Sequence, residues 1–210
     1  MKSFIRSLAV AAALMVPAAA QAQLGTASIT LNGHPYNLLG GGGFSTSAFT
    51  FTPTAGAPKN LAGFLVWCID DSRTVSATGS YTYDVYSFYQ FGVSGLGNAS
   101  GSNPTVAAMN RIGSLVDNFQ NQANSATWPS PDIATLRADQ QQVWANFNGI
   151  AGAGDSGFDS GFWYVLYNGR NQTLAVKLDD RFIVPEPGAL ALLGTGLMGF
   201  VAVARRRRNV

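Results

Sequence analysis

One cysteine, one histidine and one glutamate are all that this 210-residue chain has of three residue types on which much protein chemistry depends. A single cysteine, Cys68, excludes an internal disulfide, and with His34 alone beside it there is no zinc site of the usual His/Cys kind. A serine nucleophile would need His34 as its base, and His34 sits in "NGHPY", a turn between strands with no surrounding motif. "GDSGF" at 154–158 resembles a nucleophile loop, but its last position is Phe158 where a glycine is needed. Nor are there paired carboxylates placed for glycoside chemistry. The expectation is a non-enzyme without cofactor or resident metal. Asp70-Asp71 and "DSGFDSG" at 155–161 offer oxygen atoms that calcium accepts, yet Asp-Ser-Gly stretches are ordinary turn sequences.

Charge is scarce too: 11% of residues against the quarter usual for soluble domains. Gly, Ser, Thr, Asn and Gln supply polarity instead, with Tyr and Phe interleaved, a mixture typical of exported β-rich proteins. The formal charge of +2 comes from the ends, where Lys2, Arg6 and Arg205 to Arg208 lie. Between Gln23 and Val184 seven basic residues face ten aspartates, a net charge of −3. A basic surface for nucleic acid is therefore excluded.

Long apolar runs are confined to those same ends. "MKSFIRSLAVAAALMVPAAAQAQ" combines a positive start, an apolar Leu8–Val16 run and an Ala20-Gln21-Ala22 site. It reads as a signal peptide over 1–22, cut between Ala22 and Gln23. At the other end Gly188 to Ala204 is seventeen residues without a charge, about 25 Å as a helix, the short end of a membrane span. Arg205, Arg206, Arg207 and Arg208 follow as a cytoplasmic stop. Val184, Pro185, Glu186 and Pro187 precede it; the prolines force an extended tetrapeptide carrying the only glutamate.

Pro-Glu-Pro, an apolar span and a terminal arginine cluster, in that order over 184–208, resemble the PEP-CTERM sorting signal of Gram-negative bacteria. The resemblance implies recognition by an exosortase-type membrane protease. It implies transient anchoring by a transmembrane helix over about 188–204, then release to the cell surface or extracellular matrix, with exopolysaccharide or other matrix components as partners.

The remaining segment, 23–183, reads as an exported β-rich ectodomain with a helical insert at about 104–148. "TASITLNG", "FSTSAFTFTPT" and "GSYTYDVYSF" alternate apolar and small polar residues, as antiparallel strands half-buried in a sandwich or barrel do. "GGGG" at 40–43 reads as a flexible connection, lacking the spacing of a phosphate loop. Asn103-Pro104 and Ser130-Pro131 read as two helix starts, with Gly149 ending the second. Strands return in "GFWYVLYNG" and "QTLAVKLDDRFIV". The many aromatic residues divide between core and any exposed face on which sugar rings would stack.

In the second helix, Leu136, Gln140 and Trp144 follow one another at four-residue steps, placing Gln140 on the buried face. Its amide then needs a partner. Cys68, in "FLVWCIDD", alternates with Phe64 and Val66 on one strand face and is either buried and inert or chemically occupied. The "CID" after an aromatic residue, and a glutamine four residues before a tryptophan in "QQQVW", resemble the two halves of surface thioester domains. Asp139 and Gln142 depart from that pattern. The resemblance implies that Cys68 and Gln140 condense with loss of ammonia, making a covalent adhesin. This is the alternative to a structural or adhesive protein of matrix or biofilm in which Cys68 is a buried free thiol and Gln140 a buried, hydrogen-bonded amide.

Overall fold

The computed structural model describes residues 23–54, 57–61, 63–124, 133–150, 158 and 162–178. The described residues belong to one compact unit, Gln23–Ile183. They form eight strands, β1 (Gly25–Leu31), β2 (Tyr36–Leu38), β3 (Gly41–Pro53), β4 (Lys59–Leu61), β5 (Leu65–Cys68), β6 (Ser80–Ser87), β7 (Trp163–Tyr167) and β8 (Leu174–Lys177). Three helices, α1 (Phe88–Ser94), α2 (Val106–Asn124) and α3 (Ile133–Phe147), lie between β6 and β7. No helix among the described residues is long and apolar enough to cross a membrane. The span expected at 188–204 and the leader expected at 1–22 lie outside the described residues.

All pairings are antiparallel, in the order β1-β6-β7-β8-β5-β3, and β3 pairs back onto β1. Six strands thus close a barrel, which decides between the sandwich and barrel expectations. The thirteen-residue β3 makes closure possible. Phe49 and Phe51 pair through Ile29 and Ala27 of β1, while its Gly43–Ser45 end pairs with β5. Closure removes the main sheet edges that would otherwise template aggregation.

Register separates two cores. Val85, Leu166, Leu174 and Cys68 are successive cross-strand partners and therefore share one face. Tyr86, Val165, Ala175 and Trp67 form the neighbouring row on the opposite face. The second row is the floor on which Met109, Ile112, Val116 and Phe119 of α2 pack, at the three- and four-residue spacing read from the sequence. Truncating such a residue, Phe119 for instance, to alanine costs about 3–5 kcal/mol. Asp117 extends the same docking. Its Oδ1 accepts from the Trp163 indole at 3.1 Å and the Lys177 ammonium at 2.5 Å, tying α2 to β7 and β8.

Four details differ from the sequence reading. Helix α1 was not expected; Ser87 and Gln90 close a capping box before it, and Gly95 ends it in the left-handed conformation. The cap of α2 is Thr105, whose hydroxyl accepts from Ala108, rather than Asn103. The glycine run is no flexible connection, since Gly41 to Gly43 open β3 and are buried. Tyr36 O and Leu38 N crowd Gly42 at φ 110°, where L side chains are strained. Finally, most of the rings are core: Trp67, Tyr83, Tyr86, Phe88, Trp163 and Tyr164 are buried, while Tyr89 is largely exposed. No broad aromatic platform for sugars is present among the described residues. The helix end at Gly149 is as expected: Gly149 N–H donates to Asn146 and Ile150 N–H to Ala145, with Gly149 at φ 70°.

Candidate functional site at Cys68 and Gln140

Cys68 ends β5, and α3 brings Gln140 to it across 72 residues of sequence. Both are 0% exposed. The Gln140 Nε2 donates to the Cys68 carbonyl oxygen at 3.1 Å, while its Oε1 is buried without a partner. Gln141 and Gln142 are exposed, so of three consecutive glutamines the helix turns only the first inward.

The sulfur is enclosed. Its S–H donates to the Asp70 carbonyl at 3.3 Å. A β-carbon built on Gly41 would lie 3.3 Å from Cys68 Sγ and 2.5 Å from Trp144 Cζ2. Gly41 is therefore glycine because β3 passes directly against the sulfur and the indole. Burial pushes the Cys68 thiol up to about 12; contacts from the Trp144 indole and from the backbone at Asp70 and Gly42 pull it down less strongly. At neutral pH the group is a protonated, inaccessible thiol, unlike the exposed, acidified cysteines that react readily with solutes.

Asp70 organises the chain just beyond the sulfur. Its fully buried carboxylate accepts from Ser72 N–H (2.8 Å) and hydroxyl (2.6 Å), Arg73 (3.0 Å) and the Thr173 hydroxyl (3.2 Å). Its carbonyl accepts from Gln172 as well as from Cys68. Arg73 also reaches Gly97 and stacks over Tyr167. This occupancy answers the calcium expectation for Asp70: its oxygen atoms are already taken by protein donors. Asp71 accepts from Asn148, and no group of three metal-binding side chains occurs among the described residues. The "DSGFDSG" stretch lies outside the described residues except for Phe158, which packs against Gly113.

His34 is spent on structure. It stacks on Phe44 at 4.1 Å and donates from Nε2 to Gly41 at 2.9 Å, and burial lowers its pKa. Sequence reasoning singled out Cys68 and Gln140, which the fold brings into contact, but missed Asp70, Gly41 and Thr173 as the groups packed and bonded around them. Of these, the glycine run carried a legible signal, because four glycines before a strand mark a close backbone approach as readily as a loop.

The sorting residues Val184, Pro185, Glu186 and Pro187, the arginines Arg205 to Arg208, and the cleavage residue Ala22 lie outside the described residues; Gln23 is the first described. Comparison with known families then places the chain's traffic: residues 184–208 match the model of the PEP-CTERM protein-sorting motif. The chain is an exosortase substrate, exported and transiently membrane-anchored, then processed and delivered to the cell surface or outside the cell. No curated protein and no solved structure matches the chain. The resemblance of the Cys68 and Gln140 segments to surface thioester domains draws no support from these comparisons.

Proposed function

We propose that the exported domain is an adhesive protein of the cell surface or extracellular matrix, and that its adhesion is covalent, through a thioester between Cys68 and Gln140. The observation that supports this reading is the Gln140 amide held against Cys68 inside a closed domain. Exosortase sorting delivers such a domain to the cell surface or outside the cell, where this reading has it meet amine-bearing partners. The chemistry balances with protein groups alone. Cys68 sulfur bonds to the Gln140 side-chain carbonyl carbon, the C–N bond breaks, the amide nitrogen takes the thiol proton and ammonia leaves. A partner amine then attacks the same carbon, the C–S bond breaks and the thiol is restored beside a new amide. Confinement supplies the driving advantage that an unactivated thiol lacks, since oriented neighbours react as though at very high concentration. The bond is used once, so the protein is not a turnover enzyme. Exopolysaccharide or another matrix polymer bearing amines is the partner class this reading favours.

Intact mass of the natively purified exported protein tests it. The expected mass is low by one ammonia, gains methylamine on treatment, and returns to the simple calculated value in Cys68→Ala. A full calculated mass, with a thiol that labels only after unfolding, would leave a passive structural matrix protein in its place.

A further inference from the structure

We infer that the Trp144 indole N–H is the donor that holds the negative charge developing on the Gln140 carbonyl oxygen when Cys68 and Gln140 react. The inference rests on the thioester reading above and adds a residue whose contribution is separately measurable.

Four buried side-chain polar atoms lack a hydrogen-bond partner among the described residues: Tyr83 Oη, Gln140 Oε1, Trp144 Nε1 and Asn146 Oδ1. Each such group costs on the order of 1–3 kcal/mol, and native proteins hold few of them. Here three gather at Cys68. Gln140 donates to the Cys68 carbonyl. The Trp144 ring and the Cys68 sulfur meet on the same face of Gly41. The Tyr83 hydroxyl is raised chiefly by burial, and the nearby Tyr81 and Cys68 add to the effect.

Two of the three are complementary. Gln140 Oε1 is an acceptor without a donor, and Trp144 Nε1 is a donor whose polar neighbour is the Cys68 sulfur rather than an oxygen or nitrogen acceptor. They stand four residues apart on α3, hence on one face and adjacent turns. In the resting amide the carbonyl oxygen is neutral. When sulfur adds to the carbon, the C=O π pair moves onto Oε1 and it becomes a full anion in a fully buried site. In the resting state the indole meets the Cys68 sulfur, the atom that bonds to the carbonyl carbon, and a donor that meets the charge as it passes from sulfur to oxygen is what transition-state stabilisation requires. Indole N–H donates without titrating, so it holds the charge while the thiol proton travels separately to the departing nitrogen. The contact of Trp144 with the sulfur, which favours the thiolate over the thiol, acts in the same sense. The same oxygen is charged again when a partner amine attacks, so both steps draw on Trp144.

The test follows ammonia loss by intact mass after the denatured full chain is returned to native conditions, in wild type and Trp144→Phe. Phenylalanine keeps a ring in the site and removes only the N–H and one ring of the indole. The expected result is ammonia loss slower by about 10²–10³-fold, with methylamine capture slowed in parallel. Where Trp144→Phe does not fold, the benzothiophene analogue of tryptophan at 144, sulfur standing in place of N–H, keeps the shape and carries the same comparison. Wild-type protein that loses ammonia while either folded variant loses it equally fast overturns the donor assignment and leaves the thioester intact. Wild-type protein of full calculated mass overturns both.

Discussion

Asp70 and Gln140 are both polar, both completely buried, and both bound to the stretch that begins at Cys68, yet their surroundings are opposite. Each Asp70 carboxylate oxygen has two donors, one of them the charged Arg73. Gln140 uses its NH₂ once and leaves its carbonyl oxygen bare, one turn from an indole N–H whose polar neighbour is the Cys68 sulfur. A saturated buried group has reached its lowest state by staying as it is. A starved one has something left to gain, and the gain comes when its electronic structure changes. The fold thus places a finished polar network two residues from an unfinished one: the first fixes the backbone, and the second is the one on which the proposed reaction would draw.

The largest effect expected from breaking this contrast is on the finished side. Asp70→Ala leaves Arg73, only 12% exposed in its side chain, without its counter-charge, and strips partners from Ser72 and Thr173. Removing one member of a buried pair costs about 3–5 kcal/mol, read as a drop in the denaturant midpoint. A loss under about 1 kcal/mol would mean that water replaces the carboxylate and that the network is less closed than its geometry implies.

A smaller effect is expected where the two networks share a wall. Gly41→Ala adds one methyl group, 2.5 Å from the rigid indole edge and 3.3 Å from the sulfur. Overpacking of this kind costs about 1–3 kcal/mol. Because the indole must move, the tryptophan emission spectrum should shift with stability. Stability unchanged from wild type would show that Trp144 has room to retreat and that β3 does not define its position.

Much of this was legible before any coordinates. The strands β1, β3 and β6 alternate clearly, and Gln140 falls on the apolar face of α3 by simple periodicity. The sorting tail is legible because its three parts are contiguous and depend on no tertiary contact. Barrel closure was harder to read, because it depends on β3 pairing with both β1 and β5 across distant sequence. Helix α1 was obscured by its aromatic sequence "FYQF", which reads as a continuing strand until Ser87 and Gln90 are seen as a capping box. The hub role of Asp70 was illegible for a simpler reason. Its donor Thr173 lies 103 residues away, and only the β5–β8 pairing brings the two together.

The smallest expected effect is the one that most sharpens the comparison. Gln140→Met, made in a Cys68→Ala background so that no crosslink contributes, removes one hydrogen bond and one unpartnered oxygen together. The lost bond to the Cys68 carbonyl is worth about 1 kcal/mol, and relief of the bare carbonyl returns a similar amount. Methionine fills nearly the same volume with a flexible side chain. The net change should lie within about 1 kcal/mol by equilibrium denaturation, several times less than for Asp70→Ala at comparable burial. A loss as large as that of Asp70→Ala would show that Gln140 is satisfied in solution, by water or by a rotated Trp144, and the contrast between the two networks would collapse. A near-zero change would mean that the fold does not need Gln140 as an amide. Its place opposite Cys68 then has to be explained by what the amide does there.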